Sequence, residues 1–97
     1  MKREDFIFSI GYQGDSAIVD FRAAKRHGSL SAVELAEKGL YRAGFCSAMY
    51  DGDEDAMRQV VAIYNRVSGA SLEGVEAMKR LLGVFSVPDS VSKVTRI

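Results

Sequence analysis

"FIFSIGYQGDSAIVDF", Phe6 to Phe21, decides how the fold begins. Phe6, Phe8 and Ile10 alternate with Ile7 and Ser9, while Ala17, Val19 and Phe21 alternate with Ser16, Ile18 and Asp20. A period of two belongs to half-buried strands. A two-residue loop at Gln13 and Gly14 sets Tyr12 opposite Asp15, Ile10 opposite Ala17, Phe8 opposite Val19 and Phe6 opposite Phe21. Both apolar sets then share one face. Moving the loop by one residue, with a bulge at Gly14, puts Phe6 against Asp20 and Ile10 against Ser16, which scrambles the faces. The expected element is an antiparallel β-hairpin whose second strand stops near Val19.

Ile10 to Ile18 resembles, over about nine residues, the Gly-x-x-Gly loop of the KH family of single-stranded nucleic-acid binders. The resemblance implies a phosphate clamp between two helices, with basic residues commonly at its variable positions. Here those positions hold Tyr12 and Gln13, Asp15 follows, and both flanks alternate as strands. A clamp needs its helical scaffold, so the reading adopted is a hairpin turn. A Walker-type phosphate loop is excluded because neither glycine precedes Lys and Ser or Thr.

Outward from the hairpin, helix signals take over. Asp20 can cap a short helix through "FRAAKRHG", with Gly28 as a left-handed ending. Ser31-x-x-Glu34 is a capping box, Leu30 and Leu35 form its hydrophobic staple, and Gly39 with Leu40 makes a Schellman ending. An unbroken helix from 32 to 50 would carry Gly39 and Gly44 internally at about 1 kcal/mol each, so a break at Gly39 is expected. A helix over Tyr41 to Tyr50 follows, its Ala43, Gly44, Ser47 and Ala48 small enough for close helix approach. Beyond "DGD", Met57, Val60, Val61, Tyr64 and Val67 form the apolar stripe of a helix closed by Gly69. Ser71 can cap a last helix bearing Leu72, Val75, Met78 and Leu82 and ending at Gly83.

The expected fold class is α+β: an N-terminal antiparallel β-hairpin followed by a small bundle of about four helices. A short third strand is placed near Val84 to Val87, and residues 88–97 are read as a flexible tail or weak helical turn. The 97 residues, 47% hydrophobic, suit one small globular domain spanning 1–97. Thirteen basic and 13 acidic residues cancel, so no global charge draws the chain to nucleic acid or membrane. No signal peptide or membrane span is legible, and Cys46, the single cysteine, fits a reducing cytoplasm.

Three clusters bear on chemistry. Arg22, Lys25, Arg26 and His27 are concentrated in one short segment, with Arg22, Lys25 and Arg26 at helical spacing, suiting a phosphate or an acidic partner surface, though cations also favour a helix end. Asp51, Asp53, Glu54 and Asp55 could offer oxygen ligands, but Ala56 and Ala62 stand where a calcium loop from Asp51 needs Gly and Glu, so helix capping explains them. Cys46 lies mid-helix rather than at a helix N-terminus, and no spacing joins it to His27 as a dyad.

No catalytic, metal or cofactor-binding set is complete, and no cofactor is expected. The leading expectation is a cytoplasmic protein-interaction or adaptor domain, its partner another protein or a second copy paired through an open hairpin edge. A nucleic-acid-binding regulator using Arg22 to His27 is the alternative, and a small enzyme or enzyme subunit ranks third.

Overall fold

The chain threads a short helix into the hairpin before the main helices begin, and it returns at its end to complete the sheet. The computed structural model describes all residues, 1–97. In order they form α1 (Arg3–Ile7), β1 (Ser9–Gln13), β2 (Ser16–Val19), α2 (Phe21–His27), α3 (Ala32–Glu37), α4 (Tyr41–Asp51), α5 (Glu54–Ser68), α6 (Val75–Leu82) and β3 (Lys93–Arg96). The fold is α+β, with an N-terminal hairpin and a sheet ordered β1-β2-β3. Five helices follow the hairpin, the short α2 and then the bundle of α3 to α6, and one helix not expected from the sequence precedes it.

Helix α1 is the first correction, because Phe6 to Ile10 was expected to be a strand. Glu4 and Asp5 sit in a helical first turn, and the amides of Phe6 and Phe8 donate to the carbonyls of Lys2 and Glu4. Phe6, Ile7 and Phe8 are all buried, so their apparent alternation marks an unbroken apolar run at a helix-strand joint.

The hairpin is where it was expected, but its register is not. Gln13 pairs with Ser16, Tyr12 with Ala17, Gly11 with Ile18 and Ser9 with Val19. The loop is therefore Gly14-Asp15. Gly14 has φ +63 and no non-glycine residue is left-handed, so glycine takes the first loop position, as a type II′ turn requires. The register shifts between Ser9 and Gly11, which puts Ile10 at a bulge and turns its side chain outward instead of toward Ala17.

The third strand is not at Val84 to Val87 but at Lys93–Arg96, inside the expected tail, where it pairs parallel to β2. Val84 is instead buried after the α6 ending, its amide donating to the Lys79 carbonyl. Ser92 fastens the approach to β3: its Oγ donates to Asp15 Oδ2 and its amide to the Asp15 carbonyl, both at 2.8 Å. Beyond β3, the Ile97 amide donates to the Val19 carbonyl.

Helix boundaries follow local chemistry closely. Asp20 caps α2 through the Ala23 amide, but Gly28 ends it in right-handed geometry at φ −62, since the chain continues the same turn. Ser31 Oγ accepts from the Glu34 amide and Glu34 Oε1 from the Ser31 amide, which completes the capping box. Leu40 donates to the Leu35 carbonyl and Gly39, at φ +83, to that of Ala36, so the Schellman break is present. Helix α6 starts after Gly74, not at a Ser71 cap. Asn65 engages the intervening segment, its Nδ2 donating to the Leu72 carbonyl and its Oδ1 accepting from the Leu72 amide, and Gly74 turns left-handed at φ +108 just before α6.

Two adjoining cores result. Phe6, Ile7, Phe8, Ala17, Val19 and Cys46 pack between α1, the sheet and α4. Phe45, Ala48, Met57, Val60, Ile63 and Met78 pack among the helices. Helix α4 serves both, burying Cys46 toward one and Phe45 toward the other, so its small residues matter most. A Cβ on Gly44 would lie 2.6 Å from the Ala32 carbonyl oxygen, and only glycine admits α3 so closely. In α5 the stripe turns to Ile63, while Val67, expected inward, is exposed in the last turn. No helix is long and apolar enough to cross a membrane.

Candidate interaction surface

The outward turn of Ile10 starts an apolar face that spans β1, the start of α4 and the end of α6. Ile10, Tyr12, Leu81 and Phe85 are 62%, 42%, 51% and 60% exposed, half of the chain's eight exposed large apolar side chains, and their grouping is what is informative. They gather around two hollows. The larger, about 520 Å³, is walled by Phe8, Ile10, Leu40, Tyr41, Tyr64 and Leu81. The smaller, about 240 Å³, lies among Tyr12, Val84, Phe85 and Pro88.

Arg42 is the residue that lines both hollows. It is half-buried in the first turn of α4, and its Nη1 donates to the Ser9 carbonyl at 2.5 Å. It forms no ion pair. Ser9 Oγ, itself buried, donates to the Phe6 carbonyl at 2.8 Å and stands 3.2 Å from the Tyr12 hydroxyl, which steadies the β1 end of the face. Tyr41 and Tyr64 meet edge to face at 5.1 Å on the opposite wall. Asp20 supplies the wall's acid, and its Oδ1 is engaged by the Ala23 amide.

The residues singled out from sequence lie elsewhere. Arg22, Arg26 and His27 open with Asp20 onto one hollow of about 310 Å³ on α2, and none of the three basic side chains forms an ion pair. Lys25 leaves that group: its Nζ sits 5.1 Å over the Phe21 ring. In the acidic run, Asp53 caps α5 through the Ala56 amide, Glu54 and Asp55 pair with Arg58, and Asp51 lies 3.9 Å from Arg3. No three His, Cys, Asp or Glu side chains converge to share a cation. Cys46 is buried in the core, and burial pushes its thiol up to about 11 although Arg42 opposes the shift.

Sequence reasoning missed this face for identifiable reasons. Ile10 was assigned inward because a bulge is invisible to alternation. Leu81 and Leu82 adjoin on an amphipathic helix just as the buried Val60 and Val61 do, so adjacency alone did not mark Leu81 as exposed. Comparisons with models of known families, with curated proteins and with solved structures found no match.

Proposed function

We propose that the chain is a polypeptide-binding module and that its binding face is the surface of Ile10, Tyr12, Leu81 and Phe85. The carrying observation is that Ile10 and Leu81 line one hollow, Tyr12 and Phe85 a second, and that Arg42 belongs to both, which sets four exposed large side chains around one cation. The sheet edges add support. Strand β3 bears Lys93 and Arg96, charges that discourage further pairing, whereas β1, "SIGYQ", bears none. A free buried thiol at Cys46 fits a reducing compartment such as the cytoplasm.

A photoreactive benzophenone side chain placed at position 10 or 81, and at exposed Val67 as a control, tests the reading in the source cells. Discrete polypeptide adducts are expected from positions 10 and 81 alone. An adduct at twice the mass of the chain would make the partner a second copy. No adduct, or equal adducts from all three positions, overturns the proposal.

A second reading rests on the unpaired Arg22, Arg26 and His27 around their hollow: binding of a nucleic-acid backbone. Titration with labelled DNA and RNA at low salt should then show binding that Arg22→Glu with Arg26→Glu removes. Binding indifferent to that reversal, or none, rejects it.

A further inference from the structure

We infer that the segment bound on the Ile10 face carries a carboxylate, held by Arg42, between two apolar side chains that occupy the hollows on either side. This rests on the reading of the face as a polypeptide-binding surface and adds the chemistry of the partner.

Arg42 is the centre of the argument because it alone belongs to both hollows. A guanidinium has five N–H donors, and the hydrogen bond from Nη1 to the Ser9 carbonyl uses one of them. Its remaining donors face no carboxylate of this chain within ion-pair distance. The mostly apolar walls of the larger hollow lower the local dielectric beside Arg42, so covering this face with a purely apolar partner would strand a cation. An arriving carboxylate turns the same desolvation into a charge-assisted, bidentate contact. The place of Arg42 in the first turn of α4, with no acidic residue in that turn, adds to the positive potential there. Asp20 is the opposing charge on the wall, and its commitment to the Ala23 amide at the start of α2 limits its pairing with Arg42.

Shape favours a chain over a compact ligand. Two hollows beside one cation call for three consecutive same-side groups, and an extended segment presents them at every second residue. The pattern is apolar-x-acid-x-apolar. The larger hollow, about 520 Å³, admits a leucine or aromatic side chain, and the smaller, about 240 Å³, a more slender one.

Selection of displayed random dodecapeptides on the immobilised intact protein tests this directly. Wild type should enrich peptides with Asp or Glu between two apolar residues. Arg42→Gln should keep the apolar pair and lose the acid preference, with binding of a wild-type-selected peptide falling about tenfold. Arg42→Lys should retain part of that preference, which separates charge from a folding defect. Apolar pairs without acid in the wild-type selection, or an acid preference unchanged in Arg42→Gln, overturns the inference and leaves the binding surface standing. Absence of any selected peptide, or selection unaffected by Ile10→Asp with Leu81→Asp, overturns both.

Discussion

Asp5 in α1 and Arg96 in β3, 91 residues apart, meet at 3.3 Å, and this contact ties the end of the chain to its beginning. The Asp5 side chain is almost wholly buried while Arg96 stays partly in water, so removing Arg96 would leave a buried carboxylate without its ion-pair partner. Arg96→Ala should therefore cost about 1–2 kcal/mol, a value reduced for the exposure of Arg96. Hydrogen exchange locates the effect: the Ile97 amide, bonded to the Val19 carbonyl, should lose protection before the α4 amides do. Equal protection in both proteins would show that β3 holds without the pair.

Gly44 tests how closely α3 and α4 are packed. A methyl group there meets the Ala32 carbonyl oxygen at 2.6 Å and the Ala36 amide nitrogen at 3.1 Å, both backbone atoms that cannot rotate away. Gly44→Ala should destabilise by about 1–3 kcal/mol in urea unfolding, even though alanine favours helices. Gly11→Ala is the comparison, since nothing lies within 4 Å of its added carbon. Its unfolding midpoint should move far less, and equal shifts would locate the effect outside the α3 and α4 crossing.

Local chemistry made much of this fold legible in advance. Ser31 with Glu34, Asp20, and Gly39 followed by Leu40 each contain their complete signal within a few residues, and each forms the expected cap or break. What failed depends on distant partners. Phe6 to Ile10 alternates as written, but Phe6, Ile7 and Phe8 are buried together because α4 and the sheet close over α1 from different sides. Strand β3 presents only half-buried Val94 to the core, and its partner β2 lies most of the chain away, so "KVTR" carries almost no pattern of its own. The apolar face around Ile10 was hidden for the same reason: the exposure of Ile10 follows from a bulge, and Arg42 joins residues of β1 and of the α6 end only in the folded chain.

Glu34 should make the capping box sensitive to acid. The Ser31 backbone amide, then the Ser31 side chain, hold its carboxyl below the ordinary value of 4.5. A lowered folded value means that ionised Glu34 stabilises the fold above the ordinary value, and the contribution is lost as pH falls through the lowered one. Wild type should exceed Glu34→Gln in urea midpoint at neutral pH, and the gap should close in acid. A gap independent of pH would contradict the assignment.

Cys46 should behave as an inert core thiol. Its value rises from 9.0 to about 11 on burial, so the fold favours the neutral thiol; the associated stability is full below 9.0 and declines as pH rises toward 11. At pH 8 the native protein should react with a disulfide reagent at least about a hundredfold more slowly than the chain unfolded in guanidinium. Comparable rates would place the thiol within reach of solvent.

Asn65 holds the segment that leads into the last helix. Its amide group makes a paired contact with the Leu72 backbone, donating at 3.1 Å and accepting at 3.0 Å. Asn65→Ala removes both bonds and leaves half-buried polar backbone unpaired, at a cost of about 1–3 kcal/mol. Asn65→Asp keeps the acceptor for the Leu72 amide but opposes a carboxylate to its carbonyl, so it should fall no closer to wild type than about half of that loss. If the segment then relaxes toward the Ser71 cap that the sequence itself favours, amide shifts of residues 71–74 should become helical in NMR spectra. Unchanged shifts at 71–74 in Asn65→Ala would show that Gly74, with φ +108, starts α6 unaided.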